Sequence, residues 1–290
     1  MMKQDYSFIR YLAAKKSVDD RALNRHVWDT LAQVLPVQSE ATPLRVLEVG
    51  AGIGTMVERL QQWGLLGHAD YTAIDAEPAN IQAAQERLGT LRPAVNLKVE
   101  AIDLFEFVER ERGRQTWDLL IAHAFLDLMN VPATLPILFS LLPPGGLFYF
   151  TINFDGATIL QPAIDPPFDD LIEVLYHRTM DERVTAGRLS GNSRSGRHLF
   201  HQLHQAGAQV LAAGSSDWVV FAGPDGYPAD EAYFLHFIVH TIHQALQEHP
   251  DLDTQEFDAW ITQRHAQIEQ GELVYVAHQL DFLGCIPLPG

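Results

Sequence analysis

The run Val46-Leu47-Glu48-Val49-Gly50-Ala51-Gly52-Ile53-Gly54 places an apolar stretch, a glycine-rich turn and a helical pattern in direct succession. Glycine lets a chain turn tightly and lets a ligand lie against bare backbone. The helix start behind it offers free N–H groups that suit an anionic group. Two acids follow at comparable places. Tyr71-Thr72-Ala73-Ile74-Asp75 and Ala101-Ile102-Asp103-Leu104 each carry an apolar run to an aspartate. Asp75 lies about twenty residues beyond the glycines, where an acid on ribose hydroxyls belongs. A carboxylate that accepts hydroxyl hydrogen bonds anchors a ligand strongly and with defined geometry. Either aspartate alone also suits a helix N-cap. His123 closes the apolar run that begins at Trp117. It is a candidate general base near neutral pH, or a contributor of backbone contacts only.

The elements that must position these residues alternate. Strands are expected over residues 44–49, 71–74, 95–101, 117–122 and 147–153. Helices are expected over 53–63, 78–88, 104–111 and 126–142, the last interrupted near Pro132 and Pro136. Such alternation predicts an α/β fold, a mostly parallel sheet covered by helices on both faces. Residues from about Asp5 to Leu35 have helical spacing, with Ser17 and Asp20 as a capping-box-type start. After residue 153 comes an insertion to about 195, with a helix over 168–181. A helix over 196–206 follows, then strands at 209–213 and 217–221. The short Gly214-Ser215-Ser216 turn predicts that this last pair is an antiparallel hairpin. Two helices, 229–247 and 254–270, precede a strand-like end at 273–283.

The spacing of the turn narrows its ligand. A dinucleotide fingerprint requires Gly-x-Gly-x-x-Gly, and Thr55 stands at the third glycine's place while Gly54 falls one residue early. With Glu48 two positions before Gly50, the turn resembles motif I of the class I S-adenosylmethionine-dependent methyltransferases. The resemblance extends from Leu44 to Phe221 and includes Leu142-Pro143-Pro144-Gly145-Gly146 before the fifth strand. It implies a Rossmann-like, seven-stranded, mostly parallel sheet whose last strand is antiparallel. It implies that Glu48, Gly50, Ala51, Gly52, Gly54, Asp75, Ala76, Asp103, Leu104 and His123 bind S-adenosyl-L-methionine. In that pattern Asp75 holds the ribose, Ala76 lines the adenine slot, Asp103 accepts the adenine amino group and Leu104 packs on the ring. Residues 1–40 resemble the helical lid of small-molecule members. Residues 41–224 would form the cofactor domain, interrupted at 154–195, and 225–290 a helical extension ending in a strand. Asn153, Asp155, Tyr176 and His177 are the candidate substrate contacts.

Composition excludes several classes. The formal charge is −17, and such a surface repels a phosphate backbone, so nucleic acid is not the expected partner. No apolar run has the length of a membrane span, and the first ten residues lack the apolar core of a secretory signal. The single cysteine, Cys285, forms no internal disulfide, which favours the cytoplasm. The expected activity is methyl transfer to a small-molecule acceptor, by O-, N- or C-methylation, with no metal. A homodimer is one option for the assembly. The alternatives are an NAD-dependent oxidoreductase, an aminopropyl transferase and a non-catalytic cofactor-binding module. Asp165-Pro166-Pro167-Phe168 matches an amino-methylation motif but lies after the wrong strand, and two prolines after Asp make an ordinary helix start. His236, His240 and His243, like His198, His201 and His204, are read as polar helix faces rather than ligands.

Overall fold

A computed structural model describes residues 6–89, 94–185 and 187–289; Asp5, where the first helical pattern was expected to begin, lies outside them. The chain opens with α1 (Phe8–Ala22) and α2 (Arg25–Val34). Their caps are Ser7, whose side chain accepts from the Arg10 N–H, and Asn24, which accepts from the Val27 N–H. The start expected at Ser17 is therefore absent. Ser17 lies inside α1 and turns its hydroxyl to Glu231 at 2.7 Å.

The alternating core follows as β1 (Leu44–Val49), α3 (Thr55–Gln62), β2 (Ala69–Asp75), α4 (Pro78–Leu88), β3 (Val95–Ala101), α5 (Leu104–Glu111) and β4 (Leu119–His123). The segment after β4 breaks into a 3-10 turn at Leu126–Leu128 and α6 (Val131–Phe139). Asn130 caps α6, and Pro132 fits its first turn because the amide it lacks would go unused there. β5 (Leu147–Gln161) runs eight residues past its expected end, from 153 to 161. Then come α7 (Pro166–Asp181), the two-residue strands β6 (Val184–Thr185) and β7 (Arg188–Leu189), α8 (Ser195–Gln205), β8 (Gln209–Ser215) and β9 (Trp218–Val220). Asp165 caps α7, with Pro166 at its first position, so the Asp-Pro-Pro sequence is a helix start. The chain ends with α9 (Glu231–Leu246), α10 (Thr254–Glu269) and β10 (Val274–Cys285).

The main sheet has the order β3-β2-β1-β4-β5-β10-β8, with β9 pairing only with β10. β3, β2, β1, β4 and β5 are parallel, as expected, and β10 is antiparallel to β5, β8 and β9. The expected hairpin does not form. β8 and β9 each pair with β10 instead of with each other, so the reversed strand of the sheet is the chain's last. The reason is hydrophobic area: β10 carries Tyr275, Ala277, Phe282 and Leu283, all buried, and only a place inside the sheet covers both of its faces.

Alternation of side chains along β1 divides the core. Leu44 and Val46 enter a cluster with α1, α2, α3, α4, α7, α9 and α10, while Leu47 and Val49 enter one with α5, α6 and α8. Glu48 falls on the first side, among apolar residues. Among the described residues, no helix is long and apolar enough to cross a membrane.

Candidate cofactor and acceptor site

The carboxyl ends of β1, β2, β3 and β4 open on a cavity of about 600 Å³, closed over by α1, α7 and α9. Ligands of open α/β sheets lie at this edge. Gly50, Ala51 and Gly52 line it with backbone. Gly50 has φ +64°, and a Cβ there would meet the Phe125 ring at 2.3 Å, so any side chain would both strain the turn and collide. Asp75 fixes the turn from beneath. Its Oδ2 accepts from the Gly52 N–H at 2.8 Å, and its Oδ1 accepts from the Glu77 N–H and Asn80 Nδ2. A carboxylate has about four acceptor sites, so part of its capacity is left for a ligand. Asp103 caps α5 through Oδ1, accepting from the Phe105 and Glu106 amides, and also lines the cavity with Ala76 and Leu104. In Asp103 capping and placement at the cavity coincide, whereas α4 is capped by Glu77 rather than by Asp75.

Gly54 does not line the cavity. It faces α4, where a Cβ would meet Leu88 at 2.5 Å, so its bare backbone serves helix packing. Glu48 does line it, and the Tyr71 hydroxyl donates to its Oε2 at 2.7 Å. Burial pushes its pKa up to about 8 against that hydrogen bond, so Glu48 is protonated at neutral pH.

A buried polar network crosses the middle of the cavity. Asp19 of α1 accepts from Lys15 Nζ at 2.5 Å and from Trp218 Nε1 at 2.9 Å, and lies 2.9 Å from His123 Nε2. His123 Nδ1 lies 2.7 Å from the Thr151 hydroxyl. Burial lowers the His123 pKa to about 4 against the pull of Asp19, so the ring is neutral. Burial works to raise Asp19, but Lys15 and His123 outweigh it and hold the carboxylate ionised. The arrangement that satisfies every group has Nε2–H donating to Asp19 and Nδ1 accepting from Thr151. Neither ring nitrogen then offers a free lone pair. The expected base is instead a clamp between α1 and the sheet. Beside it the backbone is strained: Ala124 has φ +50° and Ile152 φ +57°. The Ile152 N–H is held by Asp281 Oδ1 at 2.8 Å. Such conformations cost about 1–3 kcal/mol and cluster at functional sites.

Of the expected substrate contacts, Tyr176 lines the cavity, whereas Asn153, Asp155 and His177 do not. Asn153 donates to the Leu280 carbonyl in the sheet. Asp155 is taken by the Arg197 guanidinium and amide. His177 bonds the Thr158 hydroxyl, one layer behind the wall. Asn153 and Asp155 face away because β5 continues past residue 153 as a strand paired with β10. Sequence reasoning missed Lys15, Asp19, Asp127, Arg183 and the aromatic wall of Tyr11, Phe154, Trp218, Phe237 and Tyr275. The i, i+4 spacing of Lys15 and Asp19 is visible in the chain, but their burial is not. The helix-face histidines serve packing: His236 Nδ1 lies 2.8 Å from His265 Nδ1, and His240 stacks on Tyr6.

Bare backbone at a glycine turn and carboxylates at successive strand ends define a nucleoside-binding α/β protein, and the cavity fits such a ligand. The methyltransferase-domain family profile matches residues 20–213, and the chain belongs to that family. It therefore carries a methyltransferase domain. Over 112 residues it is 37% identical to a highly reducing polyketide synthase of Cordyceps militaris, a match covering 36% of this chain and 4% of that protein. The chain therefore corresponds to a small part of that relative's length. It has the fold of an S-adenosylmethionine-dependent methyltransferase from Geobacter sulfurreducens in complex with S-adenosyl-L-homocysteine. That structure is 16% identical, covers 96% of this chain and 98% of its own, and has a TM-score of 0.50.

Proposed function

We propose that this enzyme methylates a small molecule enclosed in the aromatic half of the cavity. The observation that carries the reading is continuity: the glycine turn, Asp75 and Asp103 open into the same space as Phe154, Trp218 and Tyr275. Its volume of about 600 Å³ is that of a small-molecule site. Asp75 and Asp103 hold the nucleoside, and Gly50 to Gly52 let it approach the backbone. Bound there, S-adenosylmethionine supplies a methyl group on a positively charged sulfur, which keeps the bonding pair as the acceptor atom takes the carbon. The chain's own work is placement and dryness. The helix α1 acts as the cover, and α7 and α9 as further walls. His123 and Lys15 hold Asp19 so that α1 sits in one register over the acceptor. Nucleic acid is not the acceptor, in keeping with a net charge of −17. A cytoplasmic setting accords with the single cysteine and is checked by fractionation of tagged protein.

Calorimetry with S-adenosylhomocysteine tests the cofactor assignment. Asp75→Ala should weaken binding by about 3 kcal/mol, over a hundredfold, with far-UV dichroism unchanged. Asp75→Asn, which keeps an acceptor oxygen for the Gly52 amide, should lose less. Unaltered affinity in both would remove Asp75 from the site.

A further inference from the structure

Two opposite charges line one cavity and attract each other without a direct ion pair among the described residues. Asp127, in the turn after β4, and Arg183, after α7, both line it. The Asp127 Oδ1 is enclosed without a hydrogen-bond partner. Among the described residues, no ion pair or hydrogen bond engages the Arg183 guanidinium. An enclosed carboxylate oxygen ordinarily finds a partner, because an unsatisfied buried polar atom is costly; Arg183 is only half-buried.

Their separation is built in. The return of the insertion is tied to the turn after β4 by the Gly191 amide donating to Met129 O at 3.0 Å and the Asn192 amide donating to Asp127 O at 3.4 Å. Gly191 has φ +89°, and a Cβ on it would lie 2.9 Å from Asp127 O and 3.3 Å from Arg183 Nη1. Only glycine lets the two segments approach this closely. The stitch holds the Arg183 guanidinium beside the backbone of Asp127, and both residues line the cavity. Phe154, Tyr176, Trp218 and Phe237 supply apolar wall nearby.

We propose that Asp127 and Arg183 form a split head-group site for an acceptor with neighbouring amino and carboxylate groups on an apolar body, an aromatic amino acid or a close analogue. The ammonium donates to Asp127, and the carboxylate accepts the guanidinium fork, whose planar donors match it. A molecule with both groups gives a partner to the Asp127 carboxylate and to the Arg183 fork, whereas one with a single group engages only one of them. This assignment rests on the methyltransferase reading above and names the class of molecule the cavity takes.

The test uses the full chain saturated with S-adenosylhomocysteine. Phenylalanine, phenethylamine and 3-phenylpropionate are titrated by calorimetry as a matched set. Phenylalanine should bind at least about tenfold more tightly than either single-group compound. Asp127→Asn should weaken phenylalanine and phenethylamine by roughly tenfold and leave 3-phenylpropionate within about twofold; Arg183→Met should do the reverse. Equal binding of the three compounds by wild-type protein, absence of binding by all of them, or variants that weaken all three alike would overturn the proposal. Should a variant fail to fold, the wild-type ranking of the three compounds decides alone. S-adenosylhomocysteine affinity, measured in the same cell, separates the two readings: its absence in wild-type protein removes the methyltransferase assignment, and its presence without discrimination removes only the split site.

Discussion

Glu48 lines the cavity and carries a strongly shifted proton affinity. Its carboxyl holds a proton to about pH 8, against an ordinary value of 4.5. Between those values the folded state binds more protons than the unfolded chain, so stability contributed by this group falls as pH rises. Glu48→Gln removes that slope. Thermal melts of the cofactor-free protein should show wild type and variant alike near pH 5. Near pH 9 the variant should be the more stable, by on the order of a few kcal/mol. Parallel curves across that range would mean that Glu48 ionises normally. His123 titrates in the other sense. Its depressed value of about 4 means that its contribution is present above the ordinary histidine range and is lost as pH falls towards 4. It is present in wild type and Glu48→Gln alike, so it leaves the difference between them undisturbed.

Among elements, α1 does the most to complete the site, and it is held from several sides. Glu231 of α9 receives the Arg21 guanidinium at 2.5 and 2.8 Å and the Ser17 hydroxyl at 2.7 Å. Tyr11 stacks on Phe237 with centroids 4.2 Å apart. Arg59 of α3, fully buried, donates to Asp20 at 2.6 Å. These contacts fix the helix that carries Lys15 and Asp19, which is why a segment outside the alternating core belongs to the site. Glu231→Ala should lower stability by about 1–3 kcal/mol, since Arg21 is half exposed and can rehydrate. It should also raise the KM for acceptor, because Phe237, Ile238 and Thr241 of α9 line the cavity. Urea unfolding and steady-state kinetics check both effects; an unmoved midpoint would make the Arg21–Glu231 pair incidental.

At the scale of the molecule, the last strand decides whether the sheet closes. β10 lies between β5 and β8 and covers the edges of both. A chain ended at residue 224 would expose β5 along most of its length, and such an edge pairs with other chains. That truncation should aggregate or lack a cooperative thermal transition, and size-exclusion chromatography with calorimetry will report it. A monomeric, S-adenosylhomocysteine-binding 1–224 fragment would contradict the role given to β10. The C-terminal residues 225–290 thus supply a central strand as well as the helices α9 and α10.

The sequence by itself determined the alternating half of the molecule. The strands β1, β2, β4 and the start of β5 are local apolar runs and β3 alternates apolar with polar residues, and the glycine spacing with Asp75 and Asp103 follows the order of those strands. Boundaries such as those of α4 and β3 were readable because caps and prolines act within a few residues. What only tertiary structure decided is whatever depends on distant segments meeting. The pairing of β10 rather than a β8–β9 hairpin, the capture of both His123 nitrogens by Thr151 and Asp19, and the facing of Asp127 by Arg183 each join residues far apart in the chain. Periodicity records which face of an element is apolar; it carries no record of what will lie against that face, and burial of charge is set there.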